Sequence, residues 1–186
     1  MENRESRVSR PFEVRADENG VTVEGYAAVF DEETVIGGQF REEIARGAFT
    51  DAVGRDDVVF LVNHVGLPLA RTRSGTLQLS EDDHGLKIRA ELDITDPDVK
   101  SIVPKMQRGD LDKMSFAFVP TRQKWDDDEK MPKRTIEEAQ LFDVSIVTTP
   151  AYGGTEIGLR SLETFRKSQR KTQAPRRMRM KARLLK

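Results

Sequence analysis

The sequence predicts an antiparallel β core of about seven strands, with two or three helices on its outside, a mainly β member of the α+β class. Three observations carry that expectation. Apolar and polar residues alternate over short runs, such as Val21/Val23, Leu77/Leu79 and Leu86/Ile88/Ala90/Leu92, which is the period of a half-buried strand. Turn-forming residues separate the runs, Asn19-Gly20 and Asp82-Asp83-His84-Gly85 among them. Helical spacing is confined to a few short stretches, so the helices belong outside the sheet.

A chain of 186 residues fits one domain with tails. Hydrophobic residues make up 37% and charged residues 34%, against about 45–50% (glycine included) and about 25% in an average globular domain. A core is possible, but a sizeable part of the chain lies outside it. The net charge of -1 conceals an asymmetry. Residues 166–186 hold ten Lys or Arg and no acid, whereas the first 165 hold 21 basic and 32 acidic residues. The expected organisation is an unstructured segment over 1–11, one folded domain over 12–165, and a basic, unstructured tail over 166–186. The absence of cysteine excludes a disulfide scaffold, a thiolate zinc site and a cysteine nucleophile. No apolar run approaches the roughly 18–20 residues that span a bilayer. The polar opening Met1-Glu2-Asn3-Arg4 predicts no secretory signal.

In chain order, Phe12 and Val14 and then Val21 and Val23 flank Glu18-Asn19-Gly20, a hairpin whose second strand continues to Phe30. Gly37-Gly38 marks a loop. Ala48 to Val53 reads as a short helix closed by Gly54. Val58-Val59-Phe60-Leu61-Val62 is a strand buried on both faces, ending in Asn63-His64. Gly75 to Asp93 reads as strand, turn, strand. Thr95-Asp96-Pro97 starts a helix, carried by Val99, Ile102, Val103 and Met106 and closed by Gly109. Pro104 predicts a kink or an early end there. Lys113 to Val119 is a strand stopped by Pro120. A polar tip, Trp125 to Lys130, leads into a returning strand from Arg134 to Thr148. Leu159, Leu162, Thr164 and Phe165 mark a last helix.

Chemistry has few places to reside. His84 sits in an acidic turn and reads as a solvated side chain. His64 ends an apolar strand beside Gly66, a common place for a side chain presented to a cleft, though a partly exposed histidine with no task accounts for it as well. The two histidines do not form a zinc pair. Asp126-Asp127-Asp128-Glu129 lacks the alternation and the glycine of a calcium loop. Neither Gly37-Gly38 nor Gly153-Gly154 has the lysine of a phosphate loop. No metal or cofactor is therefore expected.

Two residues stand out instead. Ser115 lies in Met114-Ser115-Phe116-Ala117-Phe118-Val119, on the less bulky face of an apolar strand. A hydroxyl buried there without a partner costs about 1–3 kcal/mol. Asp143 is a carboxylate inside Leu141-Phe142-Asp143-Val144-Ser145-Ile146-Val147, and such groups are rarely buried unless paired. A backbone-satisfied serine and an arginine-paired aspartate account for them without catalysis. A nucleophile and the residue that orients a histidine account for them with it. A hairpin centred near Glu129 brings Ser115 and Asp143 close across the sheet. Directly opposite Cβ atoms lie about 4.5–5.5 Å apart, too close for an imidazole between them. A triad needs an offset, or another strand.

Several short pieces recur together: Gly25-Tyr26-Ala27-Ala28-Val29-Phe30, Gly47-Ala48-Phe49, Asn63-His64, Arg108-Gly109-Asp110-Leu111 with Met114 to Phe118, and Phe142-Asp143-Val144-Ser145-Ile146-Val147-Thr148-Thr149-Pro150-Ala151. In this order, over roughly Glu24 to Leu162, the chain resembles the prohead maturation serine proteases of tailed bacteriophages. The resemblance implies a fold like the herpesvirus assemblins, an antiparallel β-barrel surrounded by helices. It implies Ser115 as nucleophile, His64 as general base and Asp143 as third member, where many relatives have Glu. It also implies a role in cleaving scaffold protein, or the scaffold-like segment of the major capsid protein, inside the procapsid in the host cytoplasm, with self-cleavage. Arg71 and Arg73, near His64 in sequence, are candidates to support substrate or oxyanion. Self-association through acidic body and basic tail is expected. The alternative is a non-catalytic assembly or scaffold protein of the same fold, acting through its charged tail. Nucleic-acid binding is disfavoured by the acidic body and by the lack of any aromatic residue after Phe165.

Overall fold

A computed structural model of the chain describes residues 4–8, 12–17, 20–127, 130–148 and 157–169. In chain order these form β1 (Glu5–Val8), β2 (Glu13–Asp17), β3 (Gly20–Val29), β4 (Thr34–Ile36), β5 (Phe40–Ile44), α1 (Thr50–Arg55), β6 (Val59–Val62), β7 (Val65–Arg71), β8 (Leu77–Glu81), β9 (Gly85–Leu92), α2 (Pro97–Gln107), β10 (Lys113–Asp126), β11 (Lys133–Val147) and α3 (157–169). The class is mixed α and β, mostly β. Eleven strands replace the seven or so expected, because β1 and β5 are charged, β4 has three residues and β7 contains Gly and Pro, so none of the four shows a long apolar alternation.

The larger sheet is organised on the β10–β11 hairpin and runs β1-β10-β11-β5-β4, with β6 also pairing β11 and β7 following on β6. The expectation of an antiparallel core is corrected here. Both β5 and β6 run parallel to β11, β5 beside Lys133–Ile136 and β6 beside Asp143–Ile146. They behave as one strand interrupted by the α1 excursion. That excursion satisfies the backbone of β11 between the two ladders: Ala139 N–H donates to the Ala48 carbonyl (3.0 Å) and Leu141 N–H to the Asp56 carboxylate (2.8 Å). The smaller sheet, β2-β3-β9-β8, is antiparallel throughout. The described ladders form these two sheets, which do not close into the single barrel expected.

The main core joins the sheets. Val23, Ile88 and Ala90 from the smaller one meet Met114, Phe116, Phe118, Val144 and Ile146 from the larger, with Ala52 of α1 and Val99 and Met106 of α2. Phe116 stands edge-on to Phe49, with ring centroids 5.6 Å apart. The Asp96 side chain caps α2 by accepting the Asp98 N–H (2.8 Å), and Pro97 occupies the first turn. Of the kink or early end expected at Pro104, the early end does not occur: α2 runs through Pro104 to Gln107. The chain then reverses at Gly109, whose φ of 82° suits glycine. Pro120 likewise does not end β10. The ladder shifts register between Pro120 and Arg122, and an irregularity of that kind is where a strand tolerates a missing N–H.

Two termini differ from what the sequence predicts. Glu5–Val8 falls in the segment expected to be unstructured, yet it pairs with β10, Val8 lying opposite Ser115. Its charged side chains conceal the strand. Glu5 and Arg7 are buried with Glu42 and Arg134 in a charge-balanced quartet. The Arg134 guanidinium donates to Glu5 (2.7 and 2.8 Å) and Glu42 (3.0 Å), and Arg7 donates to Glu42 (2.5 and 2.9 Å) and Glu5 (2.6 Å). Burial alone lowers the Arg7 pKa, but the Glu42 and Glu5 carboxylates outweigh it and hold it above the ordinary value. At the other end, α3 covers a second small core of Ile36, Phe40, Trp125 and Leu162. The indole N–H of Trp125 donates to the Ser161 hydroxyl (3.0 Å). The helix continues to residue 169, so 166–169 are not tail. Residues 170–186 lie outside the described residues. Among the described residues no helix is long and apolar enough to cross a membrane.

Candidate active site

β6 and β7 join through two residues, Asn63 and His64, with Val62 opposite Val65. Both have positive φ, 53° and 59°, the signature of a type I′ hairpin turn. Asn and His tolerate this left-handed conformation better than most residues, though it still costs about 1–2 kcal/mol each. The cost is offset by bonds to β11. Asn63 N–H donates to the Ile146 carbonyl (2.9 Å), and the Asn63 side-chain oxygen accepts the Thr148 N–H (3.0 Å). The hairpin tip is thus fastened to the end of β11, and His64 stands over that strand.

Below it, Ser115 of β10 lies directly opposite Ser145 of β11, and Asp143 lies opposite Ala117. Asp143 is therefore displaced by two residues from Ser115, on the same face. This is the offset that an intervening imidazole requires. The His64 ring fills the space. Its Nε2 is 2.7 Å from Ser115 Oγ and its Nδ1 is 2.5 Å from Asp143 Oδ1. The Ser115 and Asp143 residues are buried, while a quarter of the His64 side chain remains exposed. One end of the relay is thus accessible. Among the described residues no arginine pairs with Asp143. Its partners are His64 and the Ser145 hydroxyl (2.8 Å).

The structure separates the other candidates from this constellation. Arg71 lies at the far end of β7, opposite Val59, and donates to Asp57 through two nitrogens (2.9 and 2.6 Å). That bond holds the Asp57 carboxyl below its ordinary value. Arg73 is exposed in the turn that follows. Among the described residues neither has a hydrogen bond to Ser115, His64 or Asp143 that would tie it to the site; Arg71 is held by Asp57 instead. His84 belongs to the smaller sheet's turn, where its ring stands edge-on to Tyr26 at 4.5 Å. Among the described residues no group of three or more His, Asp or Glu is arranged for a metal ion.

Two residues at the site are not legible as such in the sequence. Asn63 reads there as the end of a strand. The hairpin it turns is hidden because Val65-Gly66-Leu67-Pro68 contains Gly and Pro and does not alternate. Ser145 reads as strand filling, although it lies two residues after Asp143 and so on the same face. Its Oγ accepts the His64 backbone N–H (3.2 Å) and is 3.2 Å from Nδ1.

The family model described as caudovirus prohead serine protease matches residues 10–168. No curated protein and no solved structure gives a match.

Proposed function

The chain belongs to the caudovirus prohead serine protease family, and we propose that it is the endopeptidase that cleaves scaffold protein, or the scaffold-like segment of the major capsid protein, as the procapsid matures. Membership by itself implies a serine peptidase of capsid maturation. The observation that carries the finer reading is the hydrogen-bonded series Ser115 Oγ, His64 Nε2, His64 Nδ1, Asp143 Oδ1, supported by the exposure of its histidine end.

In this reading the Ser115 hydroxyl attacks the peptide carbonyl carbon while His64 Nε2 takes its proton. The ring then delivers that proton to the leaving amine, and the acyl-serine remains. Water, activated by the same nitrogen, releases the acid product. Asp143 keeps Nδ1–H oriented and stabilises the imidazolium that forms. The shorter aspartate reaches the ring because the hairpin tip brings His64 down onto β11.

The test is co-expression with the capsid or scaffold partner. Ser115→Ala is expected to remove processing, a loss on the order of 10⁶-fold for a serine protease nucleophile, with the thermal melt unchanged. Normal processing by that variant would sink the triad reading.

The basic residues that follow α3 serve in this reading as an arm that draws the enzyme into the shell, by attraction to acidic partners or to the acidic body of another copy. The arm is then removed by self-cleavage. Intact mass measurement decides it: active enzyme that still ends at Lys186 would rule out trimming.

A further inference from the structure

We infer that Ser145 is a positioning residue of the site, fixing the tautomer of His64 by the way its single hydroxyl proton is used. The inference rests on the proteolytic reading only for its effect on turnover. Its basis is a count of donors and acceptors around one oxygen.

Ser145 Oγ has three polar neighbours: Asp143 Oδ1 at 2.8 Å, the His64 backbone nitrogen at 3.2 Å and His64 Nδ1 at 3.2 Å. A hydroxyl has one proton to donate and two lone pairs. The His64 N–H can only donate, so it takes one lone pair. The Asp143 carboxylate can only accept, so it takes the hydroxyl proton. What remains towards Nδ1 is a lone pair, and a lone pair is compatible only with a protonated Nδ1. Asp143 Oδ1, 2.5 Å from the same nitrogen, makes the same demand. Two acceptors therefore hold the proton on Nδ1, which leaves Nε2 bare and facing Ser115 Oγ at 2.7 Å. That is the form a general base must have. If Ser145 offered its proton to Nδ1 instead, the ring would be in the inactive tautomer and Asp143 would lose both of its donors.

Ser145 also joins the two halves of the device. Through the His64 N–H it holds the strained turn, and through Asp143 it holds the carboxylate. It is fully buried, directly opposite Ser115, so water cannot replace its hydroxyl without a rearrangement.

The experiment uses the full chain in a His84→Gln background, which leaves one imidazole. Nitrogen-15 NMR of labelled histidine then reads the tautomer. With Ser145 present, the neutral ring is expected to show a single Nδ1–H form. With Ser145→Ala, a mixture of both forms is expected, and kcat should fall about 100-fold, the scale of an ångström misplacement at a reacting group. KM should stay within about twofold, because no substrate contact is removed. Ser145→Thr and Ser145→Val differ only in the hydroxyl, and Thr is expected to be at least about tenfold more active than Val. If the extra methyl unfolds both, the alanine spectrum decides alone. A single Nδ1–H form and unchanged kcat in Ser145→Ala would overturn the inference while leaving Ser115 as nucleophile. If Ser115→Ala proved as active as the parent, proteolysis by this triad would fall, yet the spectrum would still judge Ser145.

Discussion

The β10–β11 hairpin carries two buried polar clusters, and they are built on opposite principles. Near the start of β11, Arg134 meets Glu5, Arg7 and Glu42 in a quartet with two positive and two negative charges, all buried. Towards its end, Asp143 meets His64, Ser145 and Ser115, and His64 reaches solvent. In the quartet each guanidinium is held by both carboxylates, and Arg134 also donates to the Gln123 side chain (2.6 Å). Its bonds close on themselves. The second cluster ends on a hydroxyl and a ring nitrogen that can exchange their mutual bond for one to another molecule. Burial and polarity are common to both, so neither marks a site of chemistry. An unclosed series of donors and acceptors does.

If that distinction is right, the two clusters should fail in different ways. The largest effect belongs to the open one. His64→Ala is expected to lower kcat/KM on the order of 10⁶-fold, like the loss of the nucleophile itself. His84→Ala should retain near-parental activity, and the reverse outcome would move the site to the smaller sheet. Asp143→Asn, which keeps the shape but permits the wrong tautomer, should lower kcat by about 10⁴-fold. A loss under about tenfold would make Asp143 a spectator.

The closed cluster should show the opposite signature. Arg134→Met leaves Glu5 and Glu42 facing each other with one cation between them. Breaking a buried ion network in this way costs about 3–5 kcal/mol. Denaturant unfolding should show that loss, whereas kcat per folded molecule should stay unchanged. A specific fall in kcat with parental stability would mean that β1 and its charges act on Ser115 across the β1–β10 ladder.

Legibility in the sequence divides along the same line. Ser115 and Asp143 can be found because each is a polar residue in a strand whose neighbours are apolar, and His64 because it follows such a strand. Their grouping can be approached by hairpin arithmetic, but the irregularity between Ala117 and Phe118, where β11 carries the extra residue Phe142, is invisible there, and it sets Asp143 opposite Ala117 and Ser145 opposite Ser115. The quartet leaves no trace of this kind. Glu5, Arg7 and Glu42 lie in charged surroundings and look solvated, and only the long-range pairing of β1 and β5 buries them. The parallel ladders of β5 and β6 are hidden for a related reason: pairing partners far apart in sequence leave no local period. Nor does a resemblance to known proteases supply the arrangement of sheets, since the expected barrel is two sheets here.

The smallest effect concerns a third kind of ionic contact, neither closed nor catalytic. Arg166 of α3 grips Asp127 at the end of β10 with two bonds (2.7 and 2.6 Å). Both side chains are partly exposed, Arg166 at 45% and Asp127 at 28%, so solvent screens the pair. Exposed pairs contribute about 0.2–1 kcal/mol. The Arg166 hydrogen bond, helped by that residue's charge, holds the Asp127 carboxyl below its ordinary value against the opposing effect of burial. A lowered carboxyl pKa means that the folded state favours the ionised form. Its contribution is complete above the ordinary aspartate value of about 3.9, and it disappears as the pH falls from there through the lowered value. Asp127→Asn should therefore lower Tm by less than about 4 °C at neutral pH and low salt. The difference from the parent should shrink in high salt and vanish in acid. A difference that survives both would show that Asp127 holds α3 by shape rather than by charge.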